Sequence, residues 1–198
     1  MRELILAMSM SLDGFVSGSA GETEWIFSGD QEAIAWKLEK AWGASLHIMG
    51  SRTFQGMAGF WPTSTNAFAP PMNQIPKAVF SKQGNAILSA KAESAPSTEL
   101  QPGAESWADA YVASGNLADE ISKLKAGEGK PIIAHGGATF ARSLIAEDLV
   151  DQYMLTVYPL ALGQGLPIFS GLAQPRRLEL ISSRVFPKGS IAQIYRRA

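Results

Sequence analysis

Pro131-Ile132-Ile133-Ala134-His135-Gly136-Gly137-Ala138-Thr139-Phe140-Ala141-Arg142-Ser143-Leu144 is the stretch on which the fold turns. Ile132 to Ala134 is a short apolar run that reads as a buried strand. Gly136 and Gly137 break it, and a helical pattern follows from Thr139, with Phe140, Leu144 and Ile145 at near-helical spacing. A strand that turns through two glycines into a helix leaves free backbone N–H groups at the helix start. With the positive end of the helix dipole, those groups suit a phosphate. Glycine has no Cβ to hold a ligand away from the backbone. The same residues also read as a tight turn that packs a helix on a sheet, so the rest of the chain has to weigh on the choice.

Two other junctions have the same grammar. Ile48-Met49-Gly50-Ser51-Arg52-Thr53-Phe54 is a strand, a glycine and a helix start, with two hydroxyls and a guanidinium fork that can meet a phosphate. The alternative there is a serine N-cap beside an exposed arginine. Val79-Phe80-Ser81-Lys82 ends a strand in a hydroxyl and an ammonium, and in open α/β sheets ligands sit beyond the carboxyl ends of the strands. A fourth segment, Gly163-Gln164-Gly165-Leu166-Pro167-Ile168-Phe169, makes a sharp loop whose apolar residues wall a pocket or pack a core.

The remaining elements follow from pattern. Glu3 to Ser9 opens as a strand and leads into Ser11-Leu12-Asp13-Gly14. Residues 15–29 read as a loop anchored by Trp25-Ile26-Phe27, and long loops in compact domains are often functional. Asp30 is the expected N-cap of a helix burying Ile34, Leu38 and Trp42 and ending at Gly43. Leu46 to Met49 is a strand and Arg52 to Met57 a short helix. Gly59 to Pro76, with four prolines, is expected as a surface loop, and Lys77 to Ser81 as a strand. Ser89 to Ser106 is polar and weakly patterned. Asn116 opens a helix with Ile121 and Leu124 inward and Gly127 as its stop. Leu149 to Tyr158 is β-prone. Leu178 to Phe186 and Ser190 to Arg196 flank Pro187-Lys188-Gly189 as an antiparallel hairpin, apolar on one face. Early strand–helix alternation with a late hairpin predicts an α/β fold over residues 1–198 as a single domain: a mixed, mostly parallel sheet with helices on both faces.

Composition excludes several function classes. The chain has 198 residues, net charge −1, no cysteine and two histidines, His47 and His135. No global field attracts nucleic acid or an anionic membrane. Disulfides, thiolate nucleophiles and cysteine-ligated zinc are ruled out, and no metal site is expected. No apolar run approaches the roughly 20 residues that span a bilayer. The N-terminus does not read as a signal peptide, so a cytoplasmic location is expected.

In order and spacing, these segments resemble the dihydrofolate reductase-like superfamily, most closely the reductase domain of bifunctional riboflavin biosynthesis proteins. The resemblance rests on Ser11-Leu12-Asp13-Gly14, Met49-Gly50-x-x-Thr53, Pro76-Lys77 to Ser81-Lys82, Gly136-Gly137, Leu149-Val150-Asp151, Tyr158-Pro159 and Gly163-Gln164-Gly165. It implies a three-layer fold and an NADPH-dependent reductase of a small pteridine-like or ribosylaminopyrimidine-like heterocycle, in a homodimer. No attached zinc deaminase is expected within these residues.

By position, the resemblance implies that Gly50, Ser51, Arg52 and Thr53 hold cofactor phosphate. Ser81 and Lys82 would lie near the adenosine ribose and its 2′-phosphate. Gly136, Gly137, Ala138 and Thr139 would cradle the pyrophosphate, and Ala7, Leu12 and Gly14 would flank the nicotinamide. Arg52 and Lys82 would favour NADPH over NADH. The two loops would line the substrate pocket, with Trp25, Phe60, Trp61 and Phe68 stacking on a planar ring or plugging the core.

A true dihydrofolate reductase has an acid on its first helix, and counting from Met49 places Ile34 there. Glu32, two residues away, faces elsewhere. Folate reduction is therefore not expected, and the proton donor is unassigned among Asp13, Glu22, Glu24, Asp30 and His135. Asp13 reads first as a turn residue and His135 as a strand-end histidine with satisfied hydrogen bonds. A nucleotide-binding module without turnover is the alternative. His135-Gly136-Gly137-Ala138 also resembles an esterase oxyanion segment, but no Gly-x-Ser-x-Gly elbow accompanies it.

Overall fold

The computed structural model describes residues 1–27, 29–89 and 99–198. Ser28 of the expected 15–29 loop, and residues 90–98 of the weakly patterned Ser89–Ser106 segment, lie outside the described residues. Among the described residues eight strands form one sheet: β1 (Leu4–Ser11), β2 (Leu46–Gly50), β3 (Lys77–Phe80), β4 (Tyr111–Ala113), β5 (Ile132–Ala134), β6 (Gln152–Tyr158), β7 (Leu178–Val185) and β8 (Ile191–Arg197). Their order is β4-β3-β2-β5-β1-β6-β8-β7. The first six strands in that order run parallel, and β8 pairs antiparallel with both β6 and β7. The mostly parallel sheet with a closing hairpin is the expected fold.

Among the described residues five α-helices surround it: α1 (Gln31–Trp42), α2 (Ser51–Phe60), α3 (Ala69–Gln74), α4 (Leu117–Ala126) and α5 (Ala138–Ala146). The two faces of the sheet follow from the two-residue side-chain period. Leu4, Leu6, Ile48, Ile132, Ala134, Tyr153 and Leu155 share one core with Ile121 of α4 and Ala141, Leu144 and Ile145 of α5. Their alternates Ile5, Ala7, Ile133, Met154 and Ile194 meet Trp36 of α1. On that second face Met49 and Val79 pack with Phe54 of α2, Met72 of α3 and Trp107. The central strands read as continuous apolar runs because both faces are covered.

Two local expectations are corrected. The buried stripe of α1 is Ala33 and Ala41, with Trp36 and Lys37 half-buried between them, whereas Trp42 is 39% exposed and Ile34 and Leu38 are only half-buried. Small alanines let the helix approach the sheet, and this rotates the larger apolar residues toward the edge of the contact. Gly59 to Pro76 is not one open loop. It contains a 3₁₀ turn at Trp61–Thr63 and the helix α3, whose Ala69, Pro71, Met72 and Asn73 are buried. Pro70 and Pro71 sit in the first turn of α3, where no backbone donor is needed. In the closing hairpin, β7 is exposed along nearly its whole length, with the apolar Leu180, Ile181 and Val185 among its exposed residues.

Candidate functional site

The carboxyl ends of β3, β2 and β5 lie side by side, and the chain leaves two of them directly into helices. Gly50 is the N-cap of α2 and Gly137 the N-cap of α5. Neither helix start has a side-chain cap or an acidic residue in its first turn. The other long helices are built differently. Asp30 caps α1 by accepting from the Glu32 and Ala33 N–H groups, and Asn116 caps α4 by accepting from Ala118 and Asp119. Two uncapped helix starts at one sheet edge leave donors and two positive dipole ends with no side-chain cap among the described residues, and a phosphate group fits that arrangement.

The two starts are tied together. Gly50 N–H donates to Gly136 O at 3.4 Å, and Gly137 N–H donates to Thr53 Oγ1 at 2.6 Å. Gly136 has φ +81°, and a Cβ there would lie 2.9 Å from Met8 Sδ. A Cβ on Gly50 would lie 3.0 Å from Phe140 Cβ. Close packing therefore favours glycine at both positions, and at Gly136 the backbone angle does so as well, beyond any access for a ligand. The peptide between Gly136 and Gly137 is cis.

Beneath this edge, on the α1 face of the sheet, is a cavity of about 170 Å³ between α1, α2, α3 and strands β1, β5 and β6. Its walls are mostly apolar, with Trp36, Met57, Trp61, Phe68 and Met72 among them. The polar groups on its walls are Ser9, Lys37, His135 and Thr156. Lys37 Nζ donates to Tyr158 Oη at 2.6 Å and to Ser9 Oγ at 3.1 Å. Tyr158 Oη in turn donates to Ile26 O at 2.7 Å, and its ring meets Trp25 edge-on at 5.4 Å. The 15–29 loop is thereby fastened to the cavity wall. Burial pushes the Lys37 ammonium down to about 8. His135 stands edge-on to His47 at 4.6 Å, and its Nε2 is buried with no partner. Burial, with the nearby Lys77 charge, pushes its imidazole down to about 4, so His135 is neutral at physiological pH.

The residues singled out from sequence fall into three groups. Gly50, Ser51, Arg52, Thr53, Gly136, Gly137, Ala138 and Thr139 come together at the paired helix starts, with Ser81 and Lys82 at the adjacent strand end. Arg52 is exposed and makes no hydrogen bond or ion pair among the described residues. Lys82 Nζ donates to Gly115 O at 3.2 Å.

Ala7, Trp61, Phe68 and His135 line the cavity. His135 is thus not the satisfied strand-end residue expected: it lines the pocket, and its Nε2 is buried without a partner among the described residues. The third group stands away from the cavity walls. Leu12 and Gly14 lie past the end of β1, Trp25 reaches the cavity only through Tyr158, and Phe60 is 53% exposed against Trp61.

The acidic candidates are occupied elsewhere. Asp13 accepts from Ser11 Oγ at 2.6 Å, Leu162 N at 3.1 Å and Gly163 N at 2.7 Å, and these hydrogen bonds hold its carboxyl down to about 2. Asp30 caps α1 and accepts from Lys188 N, while Glu22 and Glu24 bond neighbouring backbone in the exposed loop. The Gly163–Phe169 segment packs against residues 13–17, with Ile168 in the core, and is not part of the cavity wall.

Sequence reasoning missed Lys37 altogether. The signal was present, since Ala33, Lys37 and Ala41 repeat at four-residue spacing and mark the face of α1 that meets the sheet.

Among the described residues no helix is long and apolar enough to cross a membrane, and no three His, Cys, Asp or Glu side chains gather as a metal site. The uncharacterized protein YyaP of Bacillus subtilis strain 168 is 26% identical over 199 residues, covering 98% of this chain and 94% of that protein. The fold is shared with a diaminohydroxyphosphoribosylaminopyrimidine deaminase/5-amino-6-(5-phosphoribosylamino)uracil reductase from Thermotoga maritima. The TM-score is 0.68 at 15% identity, over 100% of this chain and 57% of that one. It is also shared with dihydrofolate reductase from Enterococcus faecalis complexed with NADP(H), at TM-score 0.57 and 15% identity, over 98% and 96% of the two chains. The family model for the RibD C-terminal domain matches residues 2–192, and the chain belongs to that family of reductases.

Proposed function

We propose that this chain is an NADPH-dependent reductase that passes a hydride to a small heterocycle of the pteridine or ribosylaminopyrimidine kind, within riboflavin biosynthesis or chemistry close to it. The observation that carries the reading is the pair of uncapped helix starts, α2 and α5, laced together by Gly50, Thr53 and Gly137 directly above a half-open apolar cavity.

Bound NADPH would supply the hydride. The first turns of α2 and α5 would hold its phosphates through backbone donors, with Thr53 and Thr139 at their starts. Arg52, with no internal partner among the described residues, and Lys82 would meet the 2′-phosphate. Ala7, small and half-buried on β1, leaves room for a flat ring against the strand. Trp61 and Phe68 would stack on the substrate, and the apolar walls would exclude water from the transfer.

A cytoplasmic location goes with this reading, since the protein would draw on a diffusible NADPH pool. A homodimer also goes with it: β7 is an edge strand carrying Leu180, Ile181 and Val185 at 51%, 49% and 68% exposure, a surface that a second copy would cover.

A nucleotide-binding module without turnover is the second reading. It is favoured by one observation, that no carboxylic acid among the described residues lines the cavity. The two readings part on one assay. Purified protein is mixed with NADPH and a panel of pteridines and ribosylaminopyrimidines while the absorbance of the reduced nicotinamide is followed. Oxidation with at least one compound is expected. NADPH that binds but is never oxidised would support the module instead.

A further inference from the structure

We propose that Lys37 makes the cavity a receptor for a single planar ring edged with carbonyl or deprotonated ring-nitrogen acceptors, neutral or anionic in charge, and that it turns cationic amidinium-type rings away. This assignment deepens the reductase reading above and rests on it in taking the cavity as the substrate pocket.

Three observations carry it. The first is the balance of donors. Lys37 and Trp61 both line the cavity, and an ammonium and an indole N–H can only donate. The Trp61 Nε1 and His135 Nε2 atoms have no hydrogen-bond partner among the described residues, but both are closed off from solvent. The donor balance of the open wall therefore rests on Lys37.

The second is charge. The Lys37 ammonium is largely buried, and its hydrogen bonds go to two hydroxyls, Ser9 and Tyr158, with no carboxylate partner among the described residues. An ammonium has three N–H donors, so one remains beyond those two. A carbonyl oxygen or a ring anion placed against it offsets the desolvation that the fold leaves uncompensated. A cationic ring meets a like charge with no acid nearby to balance it.

The third is size. An engineered apolar cavity of about 150 Å³ takes one benzene-sized ring. The cavity here, about 170 Å³, therefore encloses one six-membered ring and leaves any substituent at its open side.

The test compares three single-ring probes of nearly equal size on the protein without cofactor: barbiturate (anionic), uracil (neutral) and 2,4-diaminopyrimidine at mildly acidic pH, where it is protonated. Affinities are read by calorimetric titration. Wild type is expected to bind barbiturate most tightly, then uracil, with the diaminopyrimidinium at least about tenfold weaker than barbiturate, the scale of one charge-assisted hydrogen bond. Lys37→Met should erase the spread between anion and cation, and Lys37→Arg should keep it. Thermal melting of each variant establishes that it is folded.

A wild type that prefers the cation, a wild type that binds none of the rings, or a folded Lys37→Met that keeps the original order would overturn the proposal. A merely structural role for Lys37 would change all three affinities together and not their order. NADPH binding is titrated separately. Failure there with the ring order intact would sink the reductase reading and leave the ring specificity standing. The reverse pattern would do the opposite.

Discussion

At the scale of single residues, Asp13 shows how a conspicuous turn acid can be structural. Its carboxylate gathers the Ser11 hydroxyl and the Leu162 and Gly163 amides, joining the end of β1 to the loop after β6. Those bonds lower its folded pKa from the ordinary 3.8 to about 2. A lowered carboxyl stabilises the fold above its unfolded pKa and loses that contribution as pH falls through the folded value. Acid unfolding should therefore steepen between about pH 4 and pH 2 in wild type, and Asp13→Asn should flatten that part of the curve. An Asp13→Asn profile that overlays the wild type in this window would show that the staple contributes nothing.

Asp13 was legible in sequence because a turn acid beside Gly14 has few other uses. Lys37 was not. The helix phase was set there by the largest apolar residues, Ile34, Leu38 and Trp42, whereas packing used the small ones, Ala33 and Ala41. A lysine among alanines is read as solvated surface until the face is known.

At the scale of elements, the strand–glycine–helix junctions were the most legible feature, since each needs only local pattern. The α4 helix likewise follows its cap, Asn116, and its stop, Gly127. Elements held by tertiary contact were harder. The helix α3 hides inside a proline-rich stretch, and the three-residue β4 has no periodicity to read.

The junction at β5 and α5 carries a strict local demand. Gly136 sits at φ +81°, and a Cβ there would lie 2.9 Å from Met8 Sδ. Gly136→Ala should cost about 1–2 kcal/mol from the backbone angle alone, with displacement of the Met8 side chain in addition. At roughly 2–4 °C per kcal/mol for a chain of this size, the melting temperature should drop by several degrees. Nucleotide affinity should fall in parallel, because the amides at the start of α5 shift with the turn. An unchanged melting temperature would mean that the turn relaxes freely.

At the scale of the whole molecule, the eight-stranded sheet divides its labour. The parallel end, β3-β2-β5-β1, brings helix starts and the cavity to one edge, while the antiparallel end, β8-β7, ends in an open strand. The sequence pattern captured both ends because alternation and turn chemistry are local. It could not show which side chains face the shared cavity, since that depends on where α1, α2 and α3 settle on the sheet.

The exposed apolar residues of β7 lead to a second expectation at this scale. Sedimentation at micromolar concentration should return twice the 21.2 kDa chain mass, and Ile181→Glu should halve it. A monomer in wild type would contradict the proposed assembly.

The central claim is that the paired helix starts, flanked by Arg52 and Lys82, form a cradle for NADPH. Direct titration of the purified protein with NADPH and with NADH, followed by fluorescence of the reduced nicotinamide, tests it. The account predicts saturable binding of both and a clear preference for NADPH. In Arg52→Ala/Lys82→Ala that preference should shrink by about tenfold or more, as expected when charge-assisted bonds to one phosphate are lost. Absence of binding by either nucleotide, in protein shown to be folded, would contradict it.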